Sequence, residues 1–143
     1  MRIIKFRGKN VNGGWAYGSL IKFDIGYVIS MNETTKSDNS LDDKNSVVFS
    51  ADEIAVVFPK TIGQFTGLLD KNGKEIYEGD IIQDGSNSVG VIMWFSTGWG
   101  IASYSHGFDG IKSYTSIDSF YSDEVKEWSV IGNAFENSAL INA

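Results

Sequence analysis

Ile62-Gly-Gln-Phe-Thr-Gly-Leu-Leu-Asp-Lys-Asn-Gly-Lys-Glu-Ile-Tyr-Glu-Gly-Asp-Ile-Ile82 is the stretch on which the fold turns. Within it, Asn72-Gly73 is the strongest short-range hairpin signal. A two-residue type I′ turn needs positive φ at both central residues; Asn tolerates that region and Gly meets no Cβ clash there. Thr66, Leu68 and Leu69 lead into the turn, Ile76 and Tyr77 leave it, and Asp70, Lys71, Lys74 and Glu75 surround its tip. A polar tip between apolar flanks suits a turn on the rim of a small sheet. Beyond the Glu78-Gly79 break, Asp80-Ile81-Ile82-Gln83 reads as a further short strand. Asp80, directly after a glycine, is placed to accept hydrogen bonds from local backbone amides.

Outward from this hairpin the same pattern repeats. Arg2 to Arg7 alternates Ile4 and Phe6 with charged neighbours, an opening strand, and Asn10 to Gly14 is a loop. Trp15 to Phe23 sets Trp15, Tyr17, Ser19, Ile21 and Phe23 on one face of a strand. Asp24-Ile25-Gly26 turns the backbone into Tyr27 to Met31. Residues 32–45 are polar, with Leu41 their only aliphatic residue, and are expected to form a mobile excursion. Extended structure resumes at Val47 to Phe49. Ser50 to Glu53 has capping-box spacing for one helical turn, and Ile54 to Phe58 continues either that turn or a strand. Val89 to Phe95 is apolar on both faces, as a central strand is. Ser96-Thr97-Gly98 reverses it into Trp99 to Tyr104. His106 to Gly110 is a loop, Ser116 to Tyr121 and Glu127 to Ile131 are the last strands, and Glu136 to Ile141 closes as a helical turn.

Short strands separated by Gly and Asn turns define the expected class: mainly β, a small antiparallel barrel-like or bent sheet with minor short helices. Gly79-Asp80-Ile81-Ile82, a turn, and then Val89-Gly-Val-Ile-Met-Trp94 add SH3-like barrel features to the C-terminal half. At 143 residues the protein is expected to form one domain, 1–143, that removes roughly two-thirds of its unfolded surface from water. Within it, 1–58 would be an N-terminal meander carrying the loop 32–45, and 59–143 the barrel-like part.

Three ordered blocks carry a resemblance. Gln64-Phe65-Thr66-Gly67-Leu68, Asp70-Lys71-Asn72-Gly73 and Ile76-Tyr77-Glu78-Gly79-Asp80 form the first. Lys5-Phe6-Arg7 matches an opening, and Val130-Ile131-Gly132-Asn133 with Glu136-Asn137 matches an ending. Together they resemble the YopX family of phage and prophage proteins, with long variable segments between. Gly8-Lys9 stands where that family tends to have a small residue and Trp, and Ser138 where it tends to have Pro. The resemblance implies fold and a phage origin. It implies no activity.

Composition narrows the function classes. There is no cysteine, hence no disulfide framework, thiolate nucleophile or cysteine-based zinc site. The N-terminus lacks the apolar run of a secretory signal and no segment has the length of a membrane span, so a cytoplasmic protein without membrane contact is expected. Twelve basic residues against eighteen acidic ones give a net charge of −6, and the basic ones are scattered. Direct binding to a nucleic-acid backbone, which needs clustered Lys and Arg, is disfavoured.

No catalytic, cofactor or metal constellation stands out. His106 is the only histidine; Ser103, Ser105 and Asp109 lie near it in sequence, but no serine sits in a Gly-x-Ser-x-Gly elbow. Carboxylates gather at Glu75, Glu78 and Asp80 and again at Asp118, Asp123, Glu124 and Glu127; such groups run acid–base chemistry only where their environments separate their pKa values. Asp38 to Asp43 is rich in oxygen donors but lacks EF-hand spacing, and there is no phosphate-binding glycine loop. Of the four tryptophans, Trp15, Trp94, Trp99 and Trp128, the pair flanking the Ser96–Gly98 reversal is the best candidate for an exposed anchor. The expected function is therefore a non-enzymatic binding or assembly module. Its partner would be a protein or a second copy, met through Trp94 and Trp99 or through Glu75, Tyr77, Glu78 and Asp80. An acidic DNA mimic that blocks host enzymes is the alternative, and a hydrolase using carboxylates or His106 a third reading.

Overall fold

A computed structural model describes residues 3–31, 53–104, 111–117 and 125–142. The expectations for residues 32–52, for His106 and its loop, and for Asp118, Asp123 and Glu124 lie outside these residues. The protein divides into two compact units, Lys5–Ile62, and Gly63–Ala143 with Met1–Ile4.

The N-terminal unit is an antiparallel meander of β1 (Phe6–Lys9), β2 (Trp15–Phe23), β3 (Gly26–Ser30) and β4 (Ile54–Val57), in spatial order β4-β3-β2-β1. Ile54 thus opens a strand rather than continuing a helical turn, because its backbone pairs with Ser30 of β3. Strand alternation sorts the side chains. Ala16, Ile29, Ala55 and Val57 are buried together with Phe6, Leu20, Tyr27 and Ile62 against them. Tyr17, Phe23 and Val56, of opposite parity, stay exposed. At one corner β4 bends back toward the end of β1: Asn10 bridges Val57, Val11 N–H donates to Val56 O at 3.0 Å, and Phe58 N–H donates to Lys9 O at 2.9 Å. Thr61, in the 3-10 turn Pro59–Thr61, secures that corner; its hydroxyl accepts from Lys9 N–H at 2.7 Å and donates to Phe58 O at 2.7 Å. The sheet is bent, not closed into a barrel.

In the C-terminal unit, β5 (Gly63–Leu69) and β6 (Glu75–Tyr77) form the motif hairpin. A five-stranded antiparallel sheet follows, built from β7 (Asp80–Gln83), β8 (Val89–Phe95), β9 (Gly98–Tyr104), β10 (Ile111–Ser116) and β11 (Ser129–Asn133) in order β10-β9-β8-β7-β11. β8 lies in its interior, as an all-apolar run should. β10 pairs with β9 through Ser116; of the strand expected at Ser116 to Tyr121, residues 118–121 lie outside the described residues. Ile76, Ile82, Ile92, Val125 and Trp128 make the core, with Leu68, Trp99, Ile101 and Val130 packed on it. A single α-helical turn, α1 (Ala139–Asn142), follows β11.

The turn at Asn72 differs from the expected type I′. Only Gly73 is left-handed, at φ 78°; Asn72 is not. Gly73 N–H donates to Asp70 O at 3.0 Å and Asp70 N–H donates to Lys74 O at 2.8 Å. This is a three-residue loop, a type I turn closed by a left-handed residue. The reason is Asp70: its carboxylate accepts from Asn72 N–H at 2.8 Å and Lys74 N–H at 2.9 Å, holding the intervening residues right-handed.

Among the described residues the same loop occurs twice more. At Asn10 to Gly14, Gly13 N–H donates to Asn10 O, Asn10 N–H donates to Gly14 O, and the Asn10 side-chain oxygen accepts from Asn12 N–H at 2.9 Å. At Asp84 to Ser88, Asp84 N–H donates to Ser88 O while its carboxylate accepts from Ser86 and Ser88 N–H, at 2.8 and 2.9 Å. The left-handed position there is Asn87, at φ 64°. Three hairpins share one design: an Asx residue at the head and a residue tolerant of positive φ three places later.

Candidate functional site

Two places hold the residues singled out from the sequence. The first is the elbow joining β6 to β7. The Tyr77 hydroxyl donates to Glu75 Oε2 at 2.6 Å, and the Tyr77 ring tilts against Phe65 with centroids 5.5 Å apart. Asp80 Oδ2 accepts from Tyr77 N–H at 2.8 Å, the local backbone contact expected of it. Glu78 N–H donates to Gln64 O, Gly79 N–H to Ile92 O, and Ala134 N–H to Gly79 O. The Glu78-Gly79 break is thus tied at once to β5, β8 and the segment after β11. Tyr77 is 2% and Asp80 1% exposed, so both are withdrawn from any partner-facing surface. Their residue types suggested a contact patch; burial turns them into supports of the elbow. Glu75 and Glu78 remain half-buried. Burial raises the Glu78 carboxyl above the ordinary glutamate range, with the Gln64 backbone amide pulling the other way.

Asp70 does more than its place at a hairpin tip suggests. It is 6% exposed, and Oδ2 accepts from Val130 N–H at 2.9 Å while Oδ1 serves the hairpin tip. Lys71 N–H donates to Trp128 O at 2.9 Å beside it. The motif hairpin therefore clasps the start of β11. Burial alone would raise the Asp70 pKa; the N–H groups of Val130, Lys74 and Asn72, with the Lys74 ammonium, outweigh it and hold the carboxyl below its usual range. The legible signal was an Asp two residues before Asn-Gly, which marks an Asx turn. The Val130 contact left no local trace.

The second place is the β8–β9 hairpin. Trp94 and Trp99 are direct register partners, their rings 4.8 Å apart and nearly perpendicular at 83°. Trp99 packs on the core cluster, while Trp94 is 44% exposed. On the opposite face Phe95 meets Tyr114 of β10, centroids 3.9 Å apart; Tyr114 is 42% exposed. The second aromatic pair was not foreseen, since it joins strands that only the fold brings together. Trp128 is buried, as a core tryptophan should be, and Trp15 carries Arg7 and Lys9 over its ring, at 5.0 and 5.8 Å.

Among the described residues, no three His, Asp or Glu side chains gather as a metal site, and no helix is long and apolar enough to cross a membrane. What the geometry defines is a mainly β protein whose motif residues organise backbone. A family model described as YopX protein matches residues 5–142, and the chain belongs to the YopX family. In a comparison with curated proteins nothing matches.

Proposed function

We propose that this YopX-family member is a phage or prophage accessory protein, acting in the host cytoplasm as a binding or assembly module rather than by catalysis. The observation that carries this reading is Trp94. Nearly half its surface faces solvent, yet its ring is held edge-on by Trp99. A large aromatic residue already ordered loses little conformational freedom on association, which is the property of an interface anchor. The partner is a protein or a second copy of this chain.

Sedimentation of the parent protein and of Trp94→Ala, with tagged capture from infected cells in parallel, tests it. The expected result is association by the parent that weakens at least about tenfold in the variant, the loss of one anchor. A strictly monomeric parent that captures nothing overturns the proposal. The acidic-mimic reading rests on the net charge of −6. It is weaker because Asp70 and Asp80 are buried on backbone amides and add nothing to a surface array.

A further inference from the structure

The Asn12–Gly13 and Asn72–Gly73 dipeptides occupy equivalent positions in two copies of one loop. In each, the asparagine is exposed and its own N–H is held by the Asx residue at the head. Asn-Gly is chemically special. With no side chain on the glycine, its amide nitrogen can reach the asparagine Cγ whenever the loop opens.

We propose that Asn12–Gly13 is a self-modification site in the folded protein, converting by deamidation to aspartyl and isoaspartyl products, and that its twin at Asn72–Gly73 is protected by Asp70. The Gly13 nitrogen, having given its proton to solvent, attacks Asn12 Cγ. The new C–N bond closes a five-membered imide, the bond from Cγ to the asparagine Nδ2 breaks, and ammonia leaves with a proton from water. A second water opens the imide on either side of its nitrogen. One route restores a normal backbone as aspartate; the other adds a methylene to it as isoaspartate.

Both loops must open first, because Gly13 N–H and Gly73 N–H are each engaged by the head carbonyl, at 2.9 and 3.0 Å. The difference lies in what resists opening. The Asn10 side-chain oxygen holds the Asn12 N–H alone and is uncharged. Asp70 holds Asn72, Lys74 and Val130 N–H with a carboxylate, whereas the residue after each head is anchored alike, Val11 N–H on Val56 O and Lys71 N–H on Trp128 O. Charge-assisted bonds are the stronger class, so local opening at Asn72 is the rarer event.

The test follows conversion at both sites by peptide mapping in isotopically heavy water at mildly alkaline pH. The folded protein and the protein in denaturant are run side by side. Dividing each folded rate by its denatured rate removes intrinsic sequence effects. The normalised rate at Asn12 is expected to exceed that at Asn72 by at least about tenfold, a conservative reading of two extra charge-assisted bonds. Asn10→Asp should slow Asn12 by supplying a carboxylate head, and Gly13→Ala should suppress its conversion. Equal normalised rates, or a faster Asn72, overturn the proposal. That comparison is made within the parent protein and does not depend on either variant folding.

Discussion

Asp70 shows how one carboxylate organises residues far apart in sequence. It sits 6% exposed among three backbone donors, two at the hairpin tip and one at Val130. Asp70→Asn keeps the size but sets an amide NH2 where one acceptor was needed. The expected loss is about 2 kcal/mol, the scale of a charge-assisted bond together with an unsatisfied donor, read by urea unfolding at neutral pH. The same residue sets a pH dependence. A carboxyl whose pKa is depressed on folding contributes stability that is complete above the unfolded value, about 4, and is lost as pH falls through the lower folded value. Asp84 follows the same sign: burial opposes, but hydrogen bonds from Ser86 and Ser88 win. Glu78, raised by burial, runs the opposite way, favouring the folded state at low pH and losing that contribution as pH rises through its folded value. Unfolding measured from neutral to acid pH should therefore lose stability below about pH 4, and less steeply in Asp70→Asn.

Among the elements, the three Asx-headed loops separate what a turn requires from what it tolerates. Gly73→Ala puts a Cβ in the left-handed region and should cost about 1 kcal/mol. Asn87→Gly removes a side chain from the same region and should stabilise by about 0.5 kcal/mol, since Asn is strained there less than other residues. Chemical denaturation of both variants checks the opposite signs. At the other end of the unit, Gly132 in β11 lies under the Asn137 side chain, whose Oδ1 accepts from Asn133 N–H at 3.1 Å. Glu136 N–H returns to Asn133 Oδ1 at 2.8 Å. Gly132→Ala drives a Cβ into Asn137, and about 1–3 kcal/mol of destabilisation is expected in the same assay. The motif ending Val130 to Asn137 thus reads as one small backbone lock.

For the molecule as a whole, the decisive fact is that two units each bury their own cluster. Ile29 anchors one and Ile92 the other; both are fully buried, and the two clusters share no member. Each Ile→Ala change should cost about 2–5 kcal/mol. Combined, their effects should add within about 0.5 kcal/mol, as substitutions in clusters with no common member are expected to. Thermal and urea melts of the two single variants and the double variant check this; a large coupling term would show that the cores are not separate.

Much of this architecture was legible residue by residue. β2 and β8 run over the stretches that alternation and apolar continuity mark, Trp15–Phe23 and Val89–Phe95, because strand periodicity is a local property. The hairpin at Asn72 was readable as a reversal, and the position of Asp80 on local amides followed from its place after Gly79. Other features were hidden because their causes lie far off in sequence. The turn became a three-residue loop through the Asp70 carboxylate. β10 pairs with β9 over Ile111–Ser116, and Tyr77 and Asp80, polar enough to suggest a surface, are buried. The sequence alone determines the β class, the reversals and the family, since propensity, turn chemistry and motif act between near neighbours. Which acids are buried, which tryptophan stays outside and what clasps β11 are decided only by tertiary packing, because burial and hydrogen-bond partners belong to residues tens of positions apart.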